Sequence, residues 1–177
     1  MTASASGAGT HVRPVGAFDV ALLAEMYRAI FTAPWDRPWS AESLAQSLAM
    51  PGACGWLLER DSAPLGFVLA RFTLDEGEIL LSGVVPEARG QGHGRRLMLA
   101  AIAAARAAGV RKLFLEHAAP NEAAARLYGA LGFTQIGRRP HYYGPESRKG
   151  LRHDALTLML DLAAAEPVPA ARIDREP

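Results

Sequence analysis

Six residues, Arg89-Gly90-Gln91-Gly92-His93-Gly94, stand between an apolar strand pattern and an alanine-rich helix pattern, and they constrain the chain more than any other segment. Glycine at every second position lets the backbone turn sharply and present its N–H groups without interference from Cβ atoms. Those groups point out of a helix N-terminus, where the helix dipole favours an anion. Arg95 and Arg96 add positive charge in the first turn, which is unfavourable for the helix alone and sensible beside a diphosphate. Two other glycine loops do not fit. A Walker A loop ends in Gly-Lys-Ser/Thr, whereas Gly94 is followed by two arginines; a dinucleotide fingerprint needs Gly-x-Gly-x-x-Gly, and neither Gly90 nor Gly92 starts one. A flexible turn before a helix is the competing reading, and context has to decide.

At 177 residues, half of them hydrophobic, the chain predicts one domain with a sizeable core. A net charge of +1 gives no field to attract nucleic acid. Cys54 is the sole cysteine, so no intrachain disulfide forms and a reducing, cytoplasmic setting is expected. Cys54 lies outside every motif and reads as a core or loop thiol. The first ten residues lack the basic and apolar regions of a secretion signal, and no apolar run is long enough to span a membrane. His93, His117, His141 and His153 lack paired short spacings and acidic company, so no metal site is expected.

Residues 1–10 read as a disordered leader, 11–162 as the folded domain and 163–177 as a disordered tail. Helical spacing runs from Ala17 to Phe31, with Val20, Leu23, Tyr27 and Ile30 on one face. Ser40 can cap a second helix to about Met50. Strands are expected over Trp56 to Arg60, Leu65 to Phe72 and Glu78 to Val85, and Pro86 breaks pairing before the glycine loop. Gly94 to Ala108 is a helix closed by Gly109, Lys112 to Glu116 a short buried strand, and Asn121 to Leu131 a helix closed by Gly132. Phe133 to Arg139 and Ala155 to Leu162 are the last strands. This order predicts an α+β fold: a mixed, mostly antiparallel sheet flanked by helices.

Three side chains in the second half can carry chemistry. Glu116 ends an apolar strand; it is either a general base or a solvated strand-end carboxylate. Asn121 and Tyr128 lie seven apart and share a helix face with Ala125. Asn121 suits an N-cap or a contact to a bound ligand. Tyr128 is either an aromatic packed on the sheet or a proton donor; a phenol of pKa about 10 can protonate a thiolate of pKa about 8.5.

The glycine loop together with Leu115-Glu116 and Asn121 through Phe133 resembles the GNAT superfamily of N-acetyltransferases, and within it the ribosomal-protein-alanine N-acetyltransferases. Pro38-Trp39-Ser40, Arg138-Arg139-Pro140-His141-Tyr142-Tyr143 and His153-Asp154-Ala155 extend the resemblance over roughly residues 11–162. It implies acetyl-CoA as co-substrate, held by Ser82, Gly83 and Val84 at the acetyl and pantetheine, by Arg89, Gly90, Gln91, Gly92, His93, Gly94 and Arg95 at the pyrophosphate, and by Asn121 along the arm. It implies Glu116 as base, Tyr128 as acid, and a peptide or protein N-terminus as acceptor, the alanine of a ribosomal protein first. A small amine such as a polyamine or amino sugar is the alternative acceptor, and a non-catalytic acyl-CoA-binding domain the remaining class. Departures from the pattern are Gly83, which is expected to loosen the acetyl pocket, His117 after the base, the Pro34-Trp35-Asp36-Arg37 loop, and the Gly144 to Arg152 segment. The oligomeric state is not legible.

Overall fold

The computed structural model describes residues 9–36, 39–144 and 152–163. Pro38, most of the Gly144 to Arg152 segment, residues 1–8 of the expected leader and nearly all of the expected tail lie outside them.

Seven strands form one sheet: β1 (Thr10–Pro14), β2 (Ala53–Arg60), β3 (Ala63–Thr73), β4 (Glu76–Val84), β5 (Lys112–Ala118), β6 (Thr134–Tyr143) and β7 (His153–Asp161), in the order β1-β2-β3-β4-β5-β7-β6. All neighbours are antiparallel except β4 and β5. Four helices cover it: α1 (Val20–Ile30), α2 (Ala41–Ala49), α3 (His93–Ala107) and α4 (Glu122–Ala130). The expected fold class is present. Strand β1 is an addition: Thr10, placed in the leader by sequence, pairs with Arg60. Its short, mixed pattern gives no period-2 signal; an ion-paired arginine holds it instead. Arg13 bonds Asp19 at 2.8 Å and Glu59 at 3.0 Å, tying β1 to β2 and to the entry of α1.

The sheet separates two apolar layers, because successive strand residues face opposite sides. Leu58, Val68, Leu113 and Leu115 point to the layer containing Leu97, Met98, Ala101 and Ala105 of α3 and Tyr128 of α4. Leu57, Phe67 and Leu69 point to the layer of Leu23, Met26 and Ile30 of α1 and Leu44 of α2. Ala101 and Ala105, fully buried, let α3 lie close to the sheet. The Ser40 side chain accepts the Ser43 N–H, the cap its position predicts.

The decisive irregularity is in β4. Leu69 pairs with Leu81 and Ala70 with Ile79, so Leu80 is an extra residue, a β-bulge. Pairing with β5 covers only Glu76 to Ile79 against Lys112 to Leu115. Beyond the bulge the two parallel strands part, and a cleft opens between Leu81–Val84 and Glu116–Ala118.

Candidate active site

The cleft enlarges into a cavity of about 800 Å³ that takes in the glycine loop, both parted strands and the aromatic ends of α1 and β6. Two different constructions meet in it.

The β4 wall is backbone. Ser82, Gly83 and Val84 line it, paired to β3 on one side only. Gly83 does not loosen the pocket as expected. A Cβ there would lie 2.5 Å from Ile30 Cγ2, so the missing side chain makes room for α1 rather than for a ligand. Below it, Gly90 and Gly92 have φ of +75° and +80°, the left-handed region glycine favours, and open space surrounds the position a Cβ would take at each. Gly92 is the N-cap of α3, a 15-residue helix. This open, N–H-rich turn fits a diphosphate. Gly94 serves packing: its Cβ position is 3.3 Å from Leu127 of α4. Gly90, Gly92, His93, Gly94, Arg89 and Arg95 line the cavity, whereas Gln91 does not; its side chain reaches the Glu87 carbonyl. Arg89 has another use for its guanidinium. Nε donates to Val84 O at 3.0 Å and Nη2 to Ile30 O at 2.8 Å, pinning the loop to β4 and α1. The His93 ring is buried with Nε2 unpartnered, and burial, with Arg60 and Arg96 nearby, holds its pKa below the ordinary value.

The β5 wall is side chain. Alternation sends Leu113, Leu115 and His117 to the α3–α4 layer and Glu116 to the other face, where it meets β7 and β6. Thr157, directly opposite in register, donates Oγ1–H to Glu116 Oε1 at 2.8 Å, and Arg139 Nε lies 3.1 Å from the same oxygen. On the α4 side Tyr128 is buried against Phe133 and His117, with ring centroids 5.8 and 5.9 Å away. Burial raises its pKa to about 12, so the phenol keeps its proton at neutral pH. His117 Nδ1 lies 2.9 Å from the Ala118 carbonyl, and burial pushes the ring pKa down. A neutral imidazole with its proton on Nδ1 satisfies both. Asn121 caps α4 by accepting the Ala124 N–H at 3.1 Å through its oxygen; it also lines the cavity.

Aromatic side chains roof the far end. Tyr27 stacks on Phe31 at 4.5 Å, and Tyr142 meets Tyr143 edge to face at 5.2 Å. Trp35 packs edge-on against His153 at 5.6 Å, joining the α1–α2 loop to β7. Asp154 holds the turn before the tyrosines, accepting the His141 N–H and pairing with Arg138. Asp36 lines the same end, half-buried, with one oxygen taken by the Ala33 N–H. Burial raises its pKa, and among the described residues no cation reaches ion-pair distance.

The sequence singled out Glu116, Tyr128, Asn121 and the glycine loop, and the fold brings them into one cavity. It assigned no role to Thr157, Arg139 or Asp36. Thr157 becomes visible only through the β5–β7 register. Tyr27 and Phe31 sit one turn apart, a spacing that had been available as a wall signal. Cys54 is half-buried on β2 with its thiol pKa pushed up to about 11, an unreactive setting. Among the described residues no three His, Cys, Asp or Glu side chains gather into a metal site, and no helix is long and apolar enough to cross a membrane.

Residues 20–133 match the model of the acetyltransferase (GNAT) family. The [ribosomal protein bS18]-alanine N-acetyltransferases of Haemophilus ducreyi and Escherichia coli K12 are each 30% identical over 125 and 126 residues, covering 71% of this chain and 84% and 82% of theirs. The mycothiol acetyltransferase of Thermobispora bispora is 35% identical over 68% of this chain, which spans 44% of that longer protein. Among solved structures, the Escherichia coli ribosomal-protein-S18-alanine N-acetyltransferase superposes with a TM-score of 0.79 at 24% identity, covering 92% of this chain and all of the other. Arabidopsis thaliana NAA60 in complex with acetyl-CoA superposes with a TM-score of 0.74 at 21% identity over 87% of this chain and 99% of the other. With the family model matching residues 20–133, well over half of the chain, the chain belongs to the GNAT family of acetyltransferases.

Proposed function

We propose that this protein, an acetyl-CoA-dependent N-acetyltransferase, acetylates the N-terminal α-amine of a polypeptide, the N-terminal alanine of a ribosomal protein first among acceptors, in the cytoplasm, through the domain at residues 11–162. The observation that carries the reading is that a carboxylate and a phenol enter one cavity from opposite faces of the sheet, Glu116 beneath the aromatic roof and Tyr128 from the α4 side.

Acetyl-CoA supplies an activated acyl carbon. The open turn at Gly90 and Gly92 takes its diphosphate and the unpaired edge of β4 its arm and carbonyl. Glu116 receives the proton from the acceptor nitrogen as the N–C bond forms, and Tyr128 gives a proton to the sulfur as the C–S bond breaks. Backbone N–H groups of Ser82 to Val84 face the oxygen on which charge develops. An α-amine has a pKa of about 7.7–8.0 and a lysine side chain about 10.4, so at neutral pH far more of the α-amine is already nucleophilic and a carboxylate base suffices. Aromatic walls hold an extended peptide with little loss of side-chain entropy.

A second reading, a small amine as acceptor, is favoured by Asp36, a half-buried carboxylate in that roof without an ion-pair partner among the described residues. The 35%-identical relative is named for a small molecule, mycothiol, and not for a protein. Three substrates separate the readings: a peptide beginning with Ala, the same peptide N-terminally blocked with an internal Lys, and spermidine or an aminoglycoside. We expect acetyl transfer to the first alone; comparable rates on the first two would overturn the α-amine assignment, and activity only on the small amines would move the protein to the second reading.

A further inference from the structure

Both partners of Glu116 take one oxygen. The Thr157 hydroxyl donates to Oε1 at 2.8 Å and Arg139 Nε sits 3.1 Å from Oε1, while no described residue engages Oε2. Arg139 is itself held from behind: its guanidinium lies over the Tyr142 ring, 5.3 Å from the centroid. The side chain is therefore sandwiched between the carboxylate and the aromatic roof, although more than half of it stays exposed. We propose that Arg139 is a specificity-determining positioning residue: it commits Oε1, so that Oε2 alone meets the acceptor amine, and it cancels the carboxylate charge at the acceptor mouth, so that a polycationic amine gains nothing there over a single amine. The inference rests on Glu116 being the base.

The argument is electrostatic and geometric. A bare carboxylate deep in a cleft attracts any cation, and most strongly one carrying several charges. Paired with Arg139 it presents no net charge, and the guanidinium keeps further N–H groups as donors beside the carboxylate. A peptide N-terminus carries a carbonyl oxygen three bonds from its amine nitrogen and can accept from such a donor; spermidine has no acceptor oxygen and brings further positive charge against Arg139. Arg139 stands outside the cavity's lining and reaches it through Glu116; Asp36, Glu78, Arg89, Arg95 and Arg126 line the cavity, and none of them is within ion-pair distance of Glu116. Arg139 thus weighs against the pull of Asp36 in the same cavity.

The experiment compares Arg139→Gln, Arg139→Lys and Arg139→Glu with the wild type on an Ala-initiated peptide, with spermidine both as alternative substrate and as inhibitor. An exposed ion pair is a modest lever, so Arg139→Gln is expected to tighten spermidine inhibition and raise its relative use by about fivefold, with a loss of peptide kcat, and Arg139→Glu to go further. Arg139→Lys, which keeps the charge, should restore the wild-type preference between acceptors. An unchanged spermidine-to-peptide ratio in both Gln and Glu variants would overturn the proposal. The control is Glu116→Gln: if that variant stays fully active, the base assignment falls and this inference with it; if it is inactive while the ratio does not move, only the inference fails.

Discussion

The two walls of the cavity are made of different material. Beside β4 the lining is main chain, and what matters about the side chains is their absence: Gly90 and Gly92 leave open space, and Gly83 yields its place to Ile30. Beside β5 the cavity is lined by the side chains of Glu116, Tyr128, Asn121 and His117, each held by a named neighbour. A wall of backbone can serve any ligand that offers oxygens in a row, and it resists substitution except where φ is positive. A wall of side chains does chemistry and fails when one atom changes. Binding and turnover should therefore be separable by mutation.

The largest effect should come from the β5 wall. Glu116→Gln keeps the shape and removes the proton acceptor; turnover should fall by roughly 10²–10⁴-fold with the affinity for acetyl-CoA unchanged. The loss should shrink at high pH, where the amine deprotonates unaided. Tyr128→Phe should follow, slowing transfer by about 10²-fold while sparing binding. If the thiolate leaves unassisted, the variant will run at full rate and Tyr128 is a packing residue.

On the β4 wall, Gly92→Val forces a branched residue to φ +80°, at a cost of about 1–3 kcal/mol, and fills the space a phosphate would enter. The dissociation constant for acetyl-CoA measured by calorimetry should rise about tenfold or more, with turnover at saturation nearly kept. A variant that binds normally but turns over slowly would break the division between the walls.

The smallest effect is on stability, and it samples both sides. His93 under the glycine loop and His117 on β5 are buried, and burial depresses both pKa values in the folded state. The unfolded chain then binds more protons, so the stabilisation is present above the unfolded histidine pKa of about 6.5 and is lost as pH falls below it. The urea midpoint should be lower at pH 5 than at pH 7, and His93→Gln should remove part of that drop. Equal midpoints at the two pH values would show that neither histidine is buried neutral.

Much of this division was legible in the chain. Glycine spacing marks the backbone wall because positive φ and close approach demand glycine, and Glu116, Asn121 and Tyr128 stand out as polar groups on apolar elements. What stayed hidden depends on register and on long-range pairing. Thr157 reaches Glu116 only because β7 runs antiparallel to β5 in one of several possible alignments. Gly83 read as an enlargement of the pocket because a sequence does not say which helix will lean on a strand. Arg89 read as a phosphate ligand, whereas the carbonyls of Val84 and of the distant Ile30 claim its guanidinium. Strand β1 was missed because an ion-pair network, not an apolar pattern, fastens it.

The extra residue at Leu80 leaves the sheet unfinished in its middle, since β4 beyond it and β5 beyond Leu115 are edges facing one another. The amides that point into this gap are protected from solvent exchange only by what lies in it. Hydrogen–deuterium exchange should therefore divide β4 at the bulge: its first half slow at all times, the amides of its second half that point away from β3 fast in the free protein and slow once an extended ligand fills the place of the missing ladder. Occupancy of the site is then written in the exchange rate of one half-strand, readable without any acceptor or turnover.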